Sequence, residues 1–345
     1  MPDYSDNLLS HITKKLKNAV YNLQPPDQRQ KNLTILEAKG QKWCKAAIKE
    51  RRLYITKVDK GGCILILNAA EVDKIMRETL NDKEKFQELK KDPRADITKK
   101  IKELVSSFED KHLLTSEEVF AICGLTKNGG MSRGHEFVIR KTYMYPLFKL
   151  HKLTEDMILT NKISPTRMVT SGVGGPTYRL GLFLDSLLKP IVQQYCHGEV
   201  IKDSTDFLIE LQKMESDGLS RSFNFVGTLD VDALYPSIRL DLALKALEDA
   251  LKIVTAFTDE QIQMTIHLAK FCIENSVVHY RGKWFRSLVG IPTGGPESGS
   301  IANVVVFFVV EKILFIDPKV SPLNTGKILS RKRFFDDLFQ SSNLP

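Results

Sequence analysis

Apolar residues recur along this chain with two periods, close to 3.6 and close to 2, and the stretches alternate from one end to the other. The first fifty residues are polar with helical spacing. Leu53-Tyr54-Ile55-Thr56 and Cys63-Ile64-Leu65-Ile66-Leu67 are rich in strand formers and flank Asp59-Lys60-Gly61-Gly62, which predicts a hairpin turning on glycines. From Ala70 to Leu114 the pattern is helical and heavily charged, broken at Asp92-Pro93. Gly124 to Gly134 reads as loop, Tyr143 to Lys152 as a short strand entering a basic turn, and Arg167 to Thr170 as a strand before the glycine loop Ser171 to Pro176. Leu180 to Leu188 is helical, and Phe223 to Val231 alternates as a strand that ends in acid. Helices follow at Leu240–Ala256 and Asp259–Asn275, then a hairpin around Arg281-Gly282-Lys283, then an apolar run, Ile301 to Ile316. Helices mixed with short hairpins predict an α+β fold, not a strict βαβ alternation.

Composition narrows the class. The 345 residues are 42% hydrophobic, enough for one large domain or two ordinary ones with a real core. Lys and Arg outnumber Asp and Glu by 50 to 42, a net charge of +8 that suits a polyanionic partner. The excess is local as well: Lys42, Lys45, Lys49, Arg51, Arg52 and Lys57 stand against Glu50 and Asp59. Five dispersed cysteines without C-x-x-C spacing indicate neither a disulfide framework nor a zinc module, so a reducing compartment is expected. The start lacks the order of a signal peptide, and Asn303, Glu311 and Lys312 interrupt an apolar run already too short for a bilayer. The expectation is an intracellular protein of nucleus or cytoplasm, not secreted and with no membrane partner. Seven scattered histidines form no metal motif, and no G-x-x-x-x-G-K-[ST] segment is present.

Three segments carry chemistry, in a telling order. LDVDALYPSI (229–238) puts a carboxylate at the end of a hydrophobic strand, where it can reach into a cleft. GIPTGGPESGS (290–300) is a glycine-rich loop running into the apolar helix, a place where backbone can approach a flat or charged ligand. RFFDDLF (333–339) sets two adjacent acids in a hydrophobic run and predicts a tight hairpin with the acids at its tip. Adjacent carboxylates repel unless a cation compensates, and Mg2+ prefers such oxygens while keeping positions open for water and phosphate. Asp230 with Asp336 and Asp337 would hold two such ions, Mn2+ being the alternative, in the arrangement used for in-line nucleotidyl transfer.

These segments resemble motifs A, B and C of reverse transcriptases, and further residues resemble the Penelope-like retroelements. Val58-Asp59-Lys60-Gly61-Gly62 resembles their A-D-K-G-G, Phe86 to Pro93 their Y-x-x-L-x-x-D-P, Tyr145 to Lys152 their Y-G-L-P-K-I-H-K, and Pro165 to Gly172 their P-x-R-P-I-V-S. The resemblance implies a right-hand polymerase fold with a basic helical extension (1–52), fingers (53–177) and an incomplete palm (178–345) with interleaved fingers helices, the thumb absent from a chain that stops soon after motif C. It implies RNA-directed DNA synthesis on an RNA template with a DNA primer and deoxynucleoside triphosphates; protein partners are not indicated.

By the same resemblance, Asp230, Asp336 and Asp337 are the catalytic, metal-binding acids, and Val231 offers its carbonyl to one ion. Tyr235 excludes a ribose 2′-hydroxyl, or is a core tyrosine; Lys60 and Arg167 reach the triphosphate, though Lys60 also reads as an exposed turn lysine. Gly294, Ser298 and Asn303 position template and nucleotide, or shape the loop and its helix. Thr293, Phe148, Met168 and Ser287 depart from the family pattern. Two other readings stand beside this one: a catalytically inactive nucleic-acid-binding remnant, and a nucleotide-sugar glycosyltransferase using Asp230-Val231-Asp232. A family B DNA polymerase shares Leu234-Tyr235-Pro236-Ser237-Ile238 but not the Asp336-Asp337 pair.

Overall fold

The computed structural model describes residues 34–124, 139–156, 166–195, 200–218, 224–254, 256–316 and 328–342. The chain divides into two compact units, Met1–Ile75 and Met76–Pro345. In the first, helix α1 (Ile35–Lys49) begins in a capping box, Thr34 Oγ1 accepting from the Glu37 amide at 3.2 Å while the Glu37 carboxylate accepts from the Thr34 amide at 2.8 Å. Strands β1 (Leu53–Lys57) and β2 (Ile64–Asn68) form the expected antiparallel hairpin, Leu53 opposite Asn68 and Lys57 opposite Ile64. Its turn needs Gly61 and Gly62, whose φ angles of +94° and +70° suit no ordinary side chain.

The boundary falls inside α2 (Ala69–Leu80), and the second unit continues with β3 (Phe86–Leu89), α3 (Arg94–Asp110) and α4 (Ser116–Cys123). The sequence pattern misses β3, because a four-residue strand inside a charged helical stretch has no periodicity of its own. What makes it a strand is β8 (Lys283–Ser287), which pairs Phe86 with Ser287 and Leu89 with Trp284. One sheet runs β3-β8-β7-β4-β5, with β4 (Tyr143–Phe148), β5 (Thr166–Ser171) and β7 (Val277–Tyr280). All its pairs are antiparallel except β4 with β7, which meet in parallel at Tyr143 and His279. The expected glycine-rich loop lies from Leu125 outside the described residues, as do residues 1–33.

Helices α5 (Tyr178–Tyr195), α6 (Ser204–Ser216), the single turn α7 (Leu234–Ser237), α8 (Leu240–Ile253), α9 (Asp259–Glu274) and α10 (Ser298–Val305) follow, interleaved with strands. Leu180, Leu184, Leu188 and Ile191 form the buried stripe of α5, and Ala243, Leu247, Ala250 and Leu251 that of α8. Every residue of α10 except Gly299 is buried, and burial continues to Phe308, so this part of the apolar run is the buried helix its pattern predicts; the chain goes on as a π-helix over Val306–Ile316, in which Val310 and Lys312 are exposed. No described helix is long and apolar enough to cross a membrane. A second sheet, order β6-β10-β9, joins β6 (Phe225–Asp230), β9 (Ile328–Phe334) and β10 (Asp337–Ser342), all antiparallel.

Candidate functional site

Motif order in the sequence becomes adjacency in the β6-β10-β9 sheet. Strand β6 ends at Asp230, and the antiparallel ladder sets Asp230 directly opposite Asp337, the first residue of β10. Directly paired residues of an antiparallel ladder project to the same side of the sheet. The β9–β10 hairpin turns on two residues, Phe335 and Asp336, since Phe334 pairs with Asp337. The Val231 amide donates to the Asp336 carbonyl at 2.9 Å, which fastens the end of β6 to that turn. The sequence predicts both acids at the tip; Asp336 is in the turn, while Asp337 begins the strand. Among the described residues no lysine or arginine pairs with any of the three carboxylates, so three acids crowd one sheet end without a protein cation.

The glycine-rich loop lies against the rest of this site by backbone contact. The Ile291 amide donates to the Tyr235 carbonyl at 3.0 Å. Gly290 sits there at φ +69°, where a methyl would come within 2.6 Å of Pro236 Cα and 2.7 Å of the Tyr235 carbonyl oxygen. Further on, the Thr170 amide of β5 donates to Thr293 Oγ1 at 3.1 Å. Thr293 departs from the family pattern, yet its hydroxyl has this definite use: it seats the loop on the strand that carries Arg167. Gly294 makes the closest approach, its α-carbon facing the Thr170 carbonyl with no room for a side chain. Tyr235 is half-buried, and its phenol is shifted upward first by burial and then by the Asp336 charge, with Arg167 opposing. Asp336 and Arg167 are therefore each within electrostatic reach of Tyr235. Ser298 starts α10 with its hydroxyl buried and without a hydrogen-bond partner. Lys60 is exposed in the β1–β2 turn and belongs to the first unit, whereas the other predicted site residues belong to the second.

Two groups of residues escape the sequence reading. Arg333, on β9, is 1% exposed and forms a two-pronged ion pair with Glu311, Nε to Oε1 at 2.8 Å and Nη2 to Oε2 at 3.2 Å. Its Nη1 donates to Asn303 Oδ1 at 2.7 Å and to the Phe335 carbonyl at 3.1 Å. Glu297, just before α10, is 2% exposed with an unpartnered Oε2. Burial pushes its carboxyl up to about 7. Arginine and glutamate rank among the least buried residue types, which is why the sequence places neither inside. The signal available is Glu311, the only acid of the apolar run from Ile301 to Ile316, which has to find a cation.

Chemically, the sheet end offers hard carboxylate oxygens and a nearby backbone carbonyl at Val231, donors suited to Mg2+ or Mn2+. The uncompensated charge of Asp230, Asp336 and Asp337 fits a cation, although among the described residues no three acidic, histidine or cysteine side chains close on one point as a finished ligand cage.

No protein-family model matches the sequence, and no curated protein does. Solved structures do resemble the chain. The apo telomerase of Candida tropicalis truncated from its C-terminal domain superposes with a TM-score of 0.52 at 9% identity, over 85% of this chain and 53% of that one. The telomerase of Candida albicans, in complex with a fragment of telomeric RNA, gives 0.52 at 10% identity, over 86% of this chain and 46% of that one. The chain thus spans about half the length of the structures it matches. The likeness establishes the fold: α+β, reverse-transcriptase-like, of the right-hand polymerase class.

Proposed function

We propose that this chain is the RNA-directed DNA polymerase domain of a Penelope-like retroelement, with fingers centred on residues 53–177 and palm from 178 onward. The observation that carries the reading is the pairing of Asp230 with Asp337 across β6 and β10, fastened by the Val231 amide on the Asp336 carbonyl. Asp230, Asp336, Asp337 and the Val231 carbonyl are the groups that would hold magnesium. When bound, the metal supplies charge neutralisation and a more acidic primer hydroxyl.

The rest is work for the protein's own groups. Arg167, held on β5 against the motif B loop, offers a planar fork to a triphosphate. Tyr235, half-buried beside the acids, supplies a flat face under an incoming sugar and occupies the space a 2′-hydroxyl would need. Gly294 and Ser298 keep backbone and helix N-terminus close to the nucleotide. The RNA held by the Candida albicans telomerase and the basic face of α1 support an RNA template, with a DNA primer and deoxynucleoside triphosphates as the other substrates.

Primer extension on an RNA template tests the reading. Asp336→Asn is expected to lower extension by at least about a thousandfold while template binding stays within about threefold of wild type, because Asp336 makes no structural hydrogen bond through its side chain among the described residues. Extension by Asp336→Asn at the wild-type rate sinks the assignment. Template binding by a wild-type chain that adds no nucleotide selects the inactive remnant instead.

A further inference from the structure

The turn that presents Asp336 is held from behind. Phe335 has φ +52°, a conformation uncommon for an aromatic residue and costly in isolation. Two contacts oppose its relaxation. Its carbonyl accepts from Arg333 Nη1 at 3.1 Å, and its ring stands against Gly299, where an added methyl would lie 3.3 Å from Phe335 Cε1. Arg333 in turn is fixed at every prong: Glu311 takes Nε and Nη2, and Asn303 takes Nη1 at 2.7 Å. Both partners belong to the buried helix of motif B, Asn303 to α10 and Glu311 to its π-helical continuation. At its outer edge β9 is also tied, the Ile201 amide donating to the Arg333 carbonyl at 2.9 Å.

We propose that Arg333, Glu311 and Asn303 form a buried clamp that fixes the Phe335-Asp336 turn to the motif B helix, making Arg333 the positioning residue for Asp336. The catalytic consequence rests on the polymerase reading; the clamp itself does not. A planar guanidinium is needed because four acceptor oxygens must be served at once in fixed directions, which the three donors of a lysine ammonium cannot do. Besides the bond from the Val231 amide to the Asp336 carbonyl, the turn has no ion pair at Asp336 among the described residues, and its two-residue loop contains no glycine.

Removing Arg333 alone leaves Glu311 charged and buried, so the informative chain is the double variant Arg333→Met/Glu311→Leu, in which an apolar pair of similar volume replaces the ion pair. In the full chain this variant is expected to melt close to wild type. Its Val231 and Asp337 amides are expected to exchange with solvent at least about tenfold faster, with exchange in α8 unchanged. Primer extension is expected to fall about 10- to 100-fold in kcat, with the nucleotide KM within about threefold, because a misplaced acid affects the reacting geometry more than binding. Should the double variant not fold, Arg333→Lys, which keeps the buried charge and loses the fork, enters the same comparison. Unchanged exchange at Val231 and Asp337 overturns the clamp. Faster exchange with wild-type extension overturns its positioning role. A wild-type chain that extends no primer counts against the polymerase reading, and exchange alone then decides the clamp.

Discussion

The closest approach in the candidate site makes the most demanding prediction. A methyl placed on Gly294 would be driven into the Thr170 carbonyl oxygen, with the Thr170 carbonyl carbon at 2.8 Å and the Gly172 amide nitrogen at 3.1 Å. Carbon contacts are comfortable at about 3.5–4.0 Å, and all three neighbours are backbone, so no side chain can swing aside. Either β5 or the loop must retreat. Retreat of β5 strains its ladder with β4, where Thr170 pairs with Met144 and Ser171 with Tyr143. Retreat of the loop breaks the bond from the Thr170 amide to Thr293 Oγ1. Two or three hydrogen bonds at about 1 kcal/mol each, with about 1–3 kcal/mol for overpacking, put Gly294→Ala at roughly 3–6 kcal/mol destabilising. Gly227→Ala is the matched control: it lies in β6 with nothing within 4 Å of an added methyl, and should stabilise by about 0.4–1 kcal/mol through the unfolded chain. Urea unfolding of the two variants reads the difference directly. Equal midpoints for Gly294→Ala and Gly227→Ala would refute the close docking of the motif B loop on β5.

Three further outcomes are expected. Tyr235→Ala should raise ribonucleotide incorporation by at least about tenfold, the lower end of what a shaped pocket discriminates; unchanged sugar selectivity removes Tyr235 from that role. Glu297 is held at about 7, above its usual 4.5, mainly by burial. The native state therefore keeps a proton that the unfolded chain gives up, so the contribution of Glu297 to stability is fully present below about pH 4.5 and falls by about 3 kcal/mol as pH rises through 7. Glu297→Gln should remove that decline in denaturation experiments between pH 5 and pH 8, and an identical decline in the variant contradicts it. Lys42, Lys45 and Lys49 lie exposed along one face of α1; replacing all three with alanine should reduce the slope of log affinity for RNA against log salt by about 0.7–0.9 for each phosphate no longer neutralised, and an unchanged slope excludes this face from nucleic-acid binding.

Local elements are legible where local physics decides them. The β1–β2 hairpin announces itself by strand formers on either side of Gly61-Gly62, and β7–β8 by Arg281-Gly282-Lys283. Both hairpins form as the pattern implies. The helix from Ser298 is legible as buried because apolar residues cover its whole circumference. What is not legible depends on distant partners. Strand β3 exists because β8 lies alongside it nearly 200 residues later in the chain, and a single parallel pairing, Tyr143 with His279, joins β4 to β7. Neither pairing leaves a periodic trace in its own segment. The single turn α7, which starts after Ala233 at φ +50°, likewise answers to the Gly290 loop packed on its backbone more than to its own propensity.

The same division runs through the candidate site, and it explains why the acids are readable while their support is not. An aspartate closing an alternating strand and a second pair inside a short hairpin are local patterns, and ladder register alone brings Asp230 opposite Asp337. Arg333 and Glu311 are charges that residue statistics place in water. Each alone inside would cost several kcal/mol, and only the other makes its burial tolerable. Seen together in the sequence, the lone acid in an otherwise apolar helix and the arginine three residues before an acid pair are each other's explanation. Because the pair contributes little net stability compared with an apolar replacement, stability is a weak reason for its presence. What an apolar pair could not reproduce is the third prong, the hydrogen bond from Arg333 to the Phe335 carbonyl, which links the buried charge to the turn bearing Asp336.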